Sequence, residues 1–96
     1  MKIKSALISV SNKTGLNKIL KELKKYRVQL ISSGGTYKKI KKLGFKCLEI
    51  SKYTGSSEIL NGRVKTLHPK IYAGILSKRN NQSHNKDMKK YGFEEI

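Results

Sequence analysis

Two short polar segments in this sequence carry what a phosphate group requires of a protein. Ser11-Asn12-Lys13-Thr14-Gly15 and Ser33-Gly34-Gly35-Thr36 combine hydroxyl donors with glycines that let the backbone come close, and Lys13 adds a full positive charge. A phosphate monoester is nearly a dianion at neutral pH, so backbone N–H groups at a helix N-terminus, hydroxyls and a lysine are complementary to it. The same residue types also make ordinary helix caps and turns, and either segment alone leaves both readings open. Neither segment has the glycine spacing of a P-loop or a dinucleotide-binding fingerprint. A third segment, Asn61-Gly62-Arg63-Val64-Lys65-Thr66-Leu67-His68-Pro69, is basic. If it is extended, Arg63 and Lys65 point to one face and Val64 to the other, which sets two cations side by side. An anion site and a solvated basic loop are equally open there.

The remaining reactive side chains offer less. His68 has no Cys, His or carboxylate at metal-ligand spacing, so it is read as a structural hydrogen-bonding residue and no metal is expected. Glu22, Glu49, Glu58, Asp87, Glu94 and Glu95 are scattered and form no catalytic pair. Cys47 lies in an apolar stretch and reads as packing, because an activated thiol needs an electropositive, accessible setting.

The elements that must position these groups alternate. Ala6 to Val10 is a short apolar run that reads as a strand covered on both faces, ending at Ser11. Leu16, Ile19, Leu20 and Leu23 recur at helical spacing with Lys18, Lys21, Lys24 and Lys25 opposite them, which predicts an amphipathic helix ending near Tyr26 and capped by Asn12 or Thr14. Val28 to Ser32 is a second strand, Tyr37 to Leu43 a second helix closed by Gly44, and Phe45 to Ile50 a third strand. Strand, helix, strand, helix, strand with short connections implies a parallel sheet with helices packed on it. Both polar segments then follow strands and open helices, at the carboxyl end of the sheet where such folds bind ligands. Finding two there favours the phosphate reading over two unrelated caps.

Beyond Ser51 the pattern loosens. Tyr53 to Ser57 reads as a loop, Glu58-Ile59-Leu60 as one helical turn, and Asn61-Gly62 as a tight turn. A short helix is expected after Pro69, and a mostly exposed helix over Gln82 to Tyr91 with Met88 and Tyr91 facing inward. The chain closes on Gly92 to Ile96, which looks like a helix end turning toward a further strand. An open sheet edge is normally covered or extended, so the 96 residues read as part of a larger domain.

Composition bounds the partners. The formal charge of +16 suggests something acidic, but nineteen lysines stand against three arginines. Readers of nucleic acid favour arginine for its bidentate fork, so the balance argues against nucleic acid and for solvated lysine faces. One cysteine, no apolar run of membrane-spanning length and no signal-peptide core make the cytoplasm the expected compartment.

Four blocks in order carry a family resemblance that extends over nearly the whole chain. They are Ala6 through Gly15, Ser33 through Thr36, Ser51 through Gly55, and Gly62-Arg63-Val64-Lys65-Thr66-Leu67-His68-Pro69-Lys70 followed by Ala73-Gly74-Ile75-Leu76. Together they resemble the start of the bifunctional purine biosynthesis enzyme, which combines phosphoribosylaminoimidazolecarboxamide formyltransferase and IMP cyclohydrolase activities. The resemblance implies a three-layer α/β/α, methylglyoxal-synthase-like fold, of which residues 1–96 would be the N-terminal part, with the transformylase domain lying outside them. It further implies dehydrative closure of 5-formamidoimidazole-4-carboxamide ribonucleotide to IMP without metal or cofactor, and a homodimer for the full-length protein. Matched to the family's motifs, Ser11, Asn12, Lys13, Ser33, Gly34, Gly35 and Thr36 would hold the 5'-phosphate of a purine ribonucleotide monophosphate. Arg63, Val64 and Thr66 would contact the nucleotide, and Lys65 would assist ring closure. Asn12 stands where many members have Asp, which keeps a capping oxygen and removes a charge. Two rival readings remain: a ligand-sensing module of the same fold, as in a large carbamoyl-phosphate enzyme, and a basic nucleic-acid-binding protein.

Overall fold

The computed structural model describes residues 3–56 and 68–96. Elements follow in the order β1 (Ser5–Ile8), α1 (Leu16–Lys25), β2 (Gln29–Ser32), α2 (Gly34–Lys42), β3 (Leu48–Glu49), α3 (Ile50–Thr54), α4 (Pro69–Leu76) and α5 (Gln82–Tyr91). The strands form a parallel sheet in the order β1-β2-β3, with Ser5 opposite Gln29, Ile8 opposite Ser32 and Ile31 opposite Leu48.

Successive strand residues point to opposite faces, and that alternation divides the core in two. Leu30 joins Leu16, Leu20 and Ile40, with Ile8 packed against them, so α1 and α2 cover one face. Ile31 joins Ile50, Tyr53 and Ile71, with Leu7 and Leu48 against them, so α3 and α4 cover the other. This is the α/β/α layering expected from the sequence.

The boundaries differ for physical reasons. β1 stops at Ile8 instead of running to Val10, because the backbone N–H and carbonyl of Val10 turn away to the hydroxyl of Thr36. α1 has Gly15 at its N-cap (φ 79°) and no side-chain cap; Asn12 Oδ1 is occupied by the Thr14 N–H at 2.9 Å. α2 begins at Gly34, three residues before the expected start, so most of the second polar segment is its first turn. β3 is only two residues long, since Phe45 N–H is still tied to the Ile40 carbonyl behind the left-handed Gly44 (φ 92°). Cys47 therefore lies outside the strand and is half-buried. Tyr53 and Thr54, expected in a loop, close α3, where Ile50 and Tyr53 bury one turn apart and Gly55 (φ 76°) ends the helix. In α5 Met88 is buried as expected, but Tyr91 is 62% exposed and stacks on Phe93, because Gly92 (φ 68°) turns the chain just past it.

α4 starts as the sequence indicates, with Pro69 in its first turn. His68 is its N-cap, Nδ1 accepting the Lys70 N–H at 3.0 Å, which places the ring proton on Nε2. Replacing His68 by Ala is expected to cost about 1 kcal/mol in denaturant unfolding, while His68→Asn, a good cap, recovers most of it. Among the described residues no helix is long and apolar enough to cross a membrane.

Candidate functional site

The carboxyl ends of β1 and β2 lie side by side, and two hydroxyls fasten the backbone around them. Ser32 Oγ donates to the Ile8 carbonyl at 2.7 Å, holding the end of β1 against β2. Thr36 Oγ1 donates to the Val10 carbonyl at 3.2 Å and accepts the Val10 N–H at 3.5 Å, fastening the loop after β1 to the first turn of α2. Thr36 is buried, so its side chain is a staple; what it can offer a ligand is its backbone N–H.

That staple brings the two polar segments together. Lys13 folds back over its own loop, its Nζ donating to the carbonyl of Val10 at 3.1 Å and of Ser11 at 3.5 Å. A Cβ added to Gly35 would stand 4.0 Å from Lys13 Nζ. The ammonium thus lies beside the N-terminus of α2, whose first N–H groups have no intrahelical acceptor and carry the positive end of the helix dipole. Ser33 at the N-cap is extended, and its hydroxyl makes no capping bond and has no hydrogen-bond partner among the described residues. Gly34 has φ 56°, a left-handed conformation that a side chain strains. A cation placed against a positive helix end repels it, and a dianion between them reverses the sign of both interactions.

Of the residues singled out in the sequence, Lys13, Ser33, Gly34, Gly35 and Thr36 come together. Ser11 is exposed on the same loop, and the Asn12 side chain is engaged locally with Thr14. Arg63, Val64, Lys65 and Thr66, together with Glu58-Ile59-Leu60 and Asn61-Gly62, lie outside the described residues. Among the described residues no group of three His, Cys, Asp or Glu side chains is placed to hold a metal ion.

Two features escaped the sequence. Ser32 reads there as the end of a strand, yet its hydroxyl fixes the strand ends beneath the site. Lys70 Nζ donates to the Tyr53 carbonyl at 2.8 Å and sits 4.2 Å above the Tyr53 ring, joining α3 to α4 across seventeen residues. No periodicity reports such a pair. The Tyr53 hydroxyl is buried with no hydrogen-bond partner among the described residues. Burial, and secondarily the Glu94 charge, hold its ionisation above the ordinary phenol range. The unfolded chain then releases that proton first, so stability falls as pH rises through and beyond the ordinary phenol pKa. Absorbance titration should show one of the five tyrosines ionising late, together with alkaline unfolding, and Tyr53→Phe should remove the late step.

The MGS-like domain family matches residues 15–96, and the chain belongs to it. Within that family it is similar to the bifunctional purine biosynthesis protein PurH: 51% identical to that of Clostridium acetobutylicum and 50% to that of Acetivibrio thermocellus, over 98% of this chain in both cases. The protein of the same name from Magnetococcus marinus is 46% identical over 99% of the chain. The chain spans 18–19% of the length of these relatives. The crystal structure of ForH superposes with a TM-score of 0.88 at 29% identity, covering 97% of this chain and 47% of that one.

Proposed function

We propose that this chain is the phosphate-gripping part of an IMP cyclohydrolase unit that closes 5-formamidoimidazole-4-carboxamide ribonucleotide to IMP in de novo purine biosynthesis in the cytoplasm. One observation carries the reading: Lys13 Nζ lies beside the N-terminus of α2, 4.0 Å from where a Cβ of Gly35 would be. That arrangement favours a dianionic phosphate, and the relatives that match 98% of the chain at about half identity are named as purine biosynthesis proteins.

In this reading the carboxamide nitrogen attacks the formyl carbon. A carbon–nitrogen bond forms, and the formyl oxygen leaves as water with one proton from the carboxamide nitrogen and one from the formamido nitrogen. The step is intramolecular, so it gains from a held conformation and from cations near the developing oxyanion more than from a strong nucleophile. Lys13 with the N–H groups of Gly34, Gly35 and Thr36 anchors the phosphate end. Ser11, Asn12 and Ser33 line the grip, Arg63, Val64 and Thr66 contact the nucleotide, and Lys65 stabilises charge on the formyl oxygen. The full-length protein works as a homodimer.

The test is to titrate IMP and the carboxamide ribonucleotide against this chain and against a chain extended to the length of the relatives, and to assay the extended chain for ring closure. Nucleotide binding with turnover by the extended chain is expected. Absence of binding by both ends the proposal.

A further inference from the structure

At the opposite end of the sheet from the phosphate grip, β2 and the segment leading into β3 diverge. β3 pairs with β2 only at Leu48 and Glu49, so the chain from Gly44 to Cys47 splays away from Val28, Gln29 and Leu30. The wedge between them is a half-open groove of about 970 Å³. Its apolar lining is Val28 and Leu30, both buried, with the half-buried Phe45 and Leu48, and its exposed rim carries Lys24, Arg27, Gln29, Lys41 and Lys46, the Lys24 ammonium 5.9 Å from the centre of the Phe45 ring. No carboxylate lines it among the described residues.

Helix dipoles explain part of that rim. Lys24 and Lys41 stand in the last turns of α1 and α2, where a cation offsets the negative helix end. Arg27 and Lys46 lie outside both helices. Arg27 also holds the one left-handed non-glycine backbone among the described residues, φ 57°. It sits just past the C-cap of α1, its N–H bonded to the Lys24 carbonyl and the next N–H, that of Val28, to the Leu23 carbonyl. Glycine is the ordinary occupant of such a position, and an arginine there accepts backbone strain. Its charge offsets the negative end of α1 as Lys24 does, at a cost in backbone strain, and the same side chain gives the groove a cation with a planar, forked donor set.

We propose that this groove is a second binding site, separate from the phosphate grip, for a small aromatic anion: a ring system laid against the half-buried Phe45 with its phosphate, sulfonate or carboxylate between Arg27 and Lys46. The volume is that of a small-molecule site, and an apolar lining whose charged neighbours among the described residues are all cations is complementary to that class of ligand. Because the rim is exposed, binding weakens as salt is raised.

Cys47 supplies a reporter inside the groove. It is the sole cysteine, half-buried, and burial raises its thiol ionisation above the ordinary range despite the nearby Lys41, so its alkylation is slow and sensitive to what lies over it. The probe is 1-anilinonaphthalene-8-sulfonate, followed by fluorescence, by amide chemical shifts and by its effect on iodoacetamide alkylation of Cys47. Shifts are expected at Val28–Leu30 and Gly44–Leu48, with Cys47 protected and with no displacement by inorganic phosphate. Arg27→Gly with Lys46→Glu should weaken binding at least tenfold, while Lys18→Glu with Lys89→Glu, of larger charge change but away from the groove, should alter it less than twofold. Arg27→Gly alone relieves the left-handed strain and should raise the melting temperature by a few degrees while weakening the probe, a combination that a structural role for Arg27 does not produce. Shifts centred on Ser11–Lys13 or on the exposed Tyr72, Ile75 and Leu76, displacement by phosphate, or equal losses in both charge-changed pairs would overturn the proposal. The phosphate arm also separates this outcome from failure of the nucleotide reading, which concerns the other end of the sheet.

Discussion

Lys13→Gln is expected to lower the affinity for IMP by roughly 10–100-fold, the equivalent of losing one charge-assisted hydrogen bond of about 1.5–3 kcal/mol. The size follows from where the ammonium sits. It is held by the carbonyls of Val10 and Ser11, beside Gly35 and the first-turn N–H groups of α2, which have no intrahelical acceptor, so a phosphate there meets charge and amides together. Inosine lacks the phosphate and should bind equally to both proteins, and the salt dependence of IMP binding should become shallower in the variant. Unliganded stability should change little. The two bonds lost are to exposed carbonyls, and removing the ammonium relieves repulsion from the helix end. Calorimetric titration of both ligands against both proteins checks this. A parallel loss for inosine, or a large fall in melting temperature, would mean that Lys13 holds the loop and does not hold phosphate.

How far the sequence could see depended on whether a feature is local. Leu16, Ile19, Leu20 and Leu23 announce α1 because their spacing alone places them on one face. The two-faced core is also legible, since Leu30 and Ile31 are adjacent apolar residues in a strand and must point in opposite directions. The end of β2 at Ser32 was legible, but that of β1 was not. Nothing in the residue types of Ser9 and Val10 reveals that Val10 leaves the ladder for the Thr36 hydroxyl, because that partner is twenty-six residues away. The first turn of α2 was hidden for a different reason. Gly34 and Gly35 have poor helix propensity, and local reading therefore leaves them in a loop, whereas the helix starts there because Ser33 is extended and Tyr37 N–H reaches its carbonyl. The same glycines that disguise the helix let Lys13 lie close beside its N-terminus. Propensity thus failed at the candidate site itself, where function and local preference part.

Gly74→Ala is expected to destabilise the fold by about 1–3 kcal/mol, although alanine in a helix interior ordinarily gains close to 1 kcal/mol over glycine. A Cβ at Gly74 would stand 2.8 Å from Ile96 Cγ1 and 2.9 Å from the Glu94 carbonyl oxygen. The second neighbour is backbone, so rotating a side chain does not relieve it. Ile96 N–H also donates to the Gly74 carbonyl at 2.9 Å, and Arg79, in the loop after α4, holds the Ile96 carbonyl at 3.2 Å, so Ile96 is tied to α4 and to the loop that follows it. Ile96 packs in turn against the cluster of Ile31, Ile50, Tyr53 and Ile71. The added methyl therefore forces a choice between shifting α4, with Ile71 in the core, and releasing residues 93–96 together with the apolar surface they cover. For a domain of this size each kcal/mol corresponds to about 4–8 °C in melting temperature. Thermal unfolding should fall by roughly 5–20 °C, and hydrogen exchange should show the Ile96 amide losing protection before those of β1 and β2. Unchanged stability with Ile96 still protected would show that the C-terminal segment does not press on Gly74 in solution.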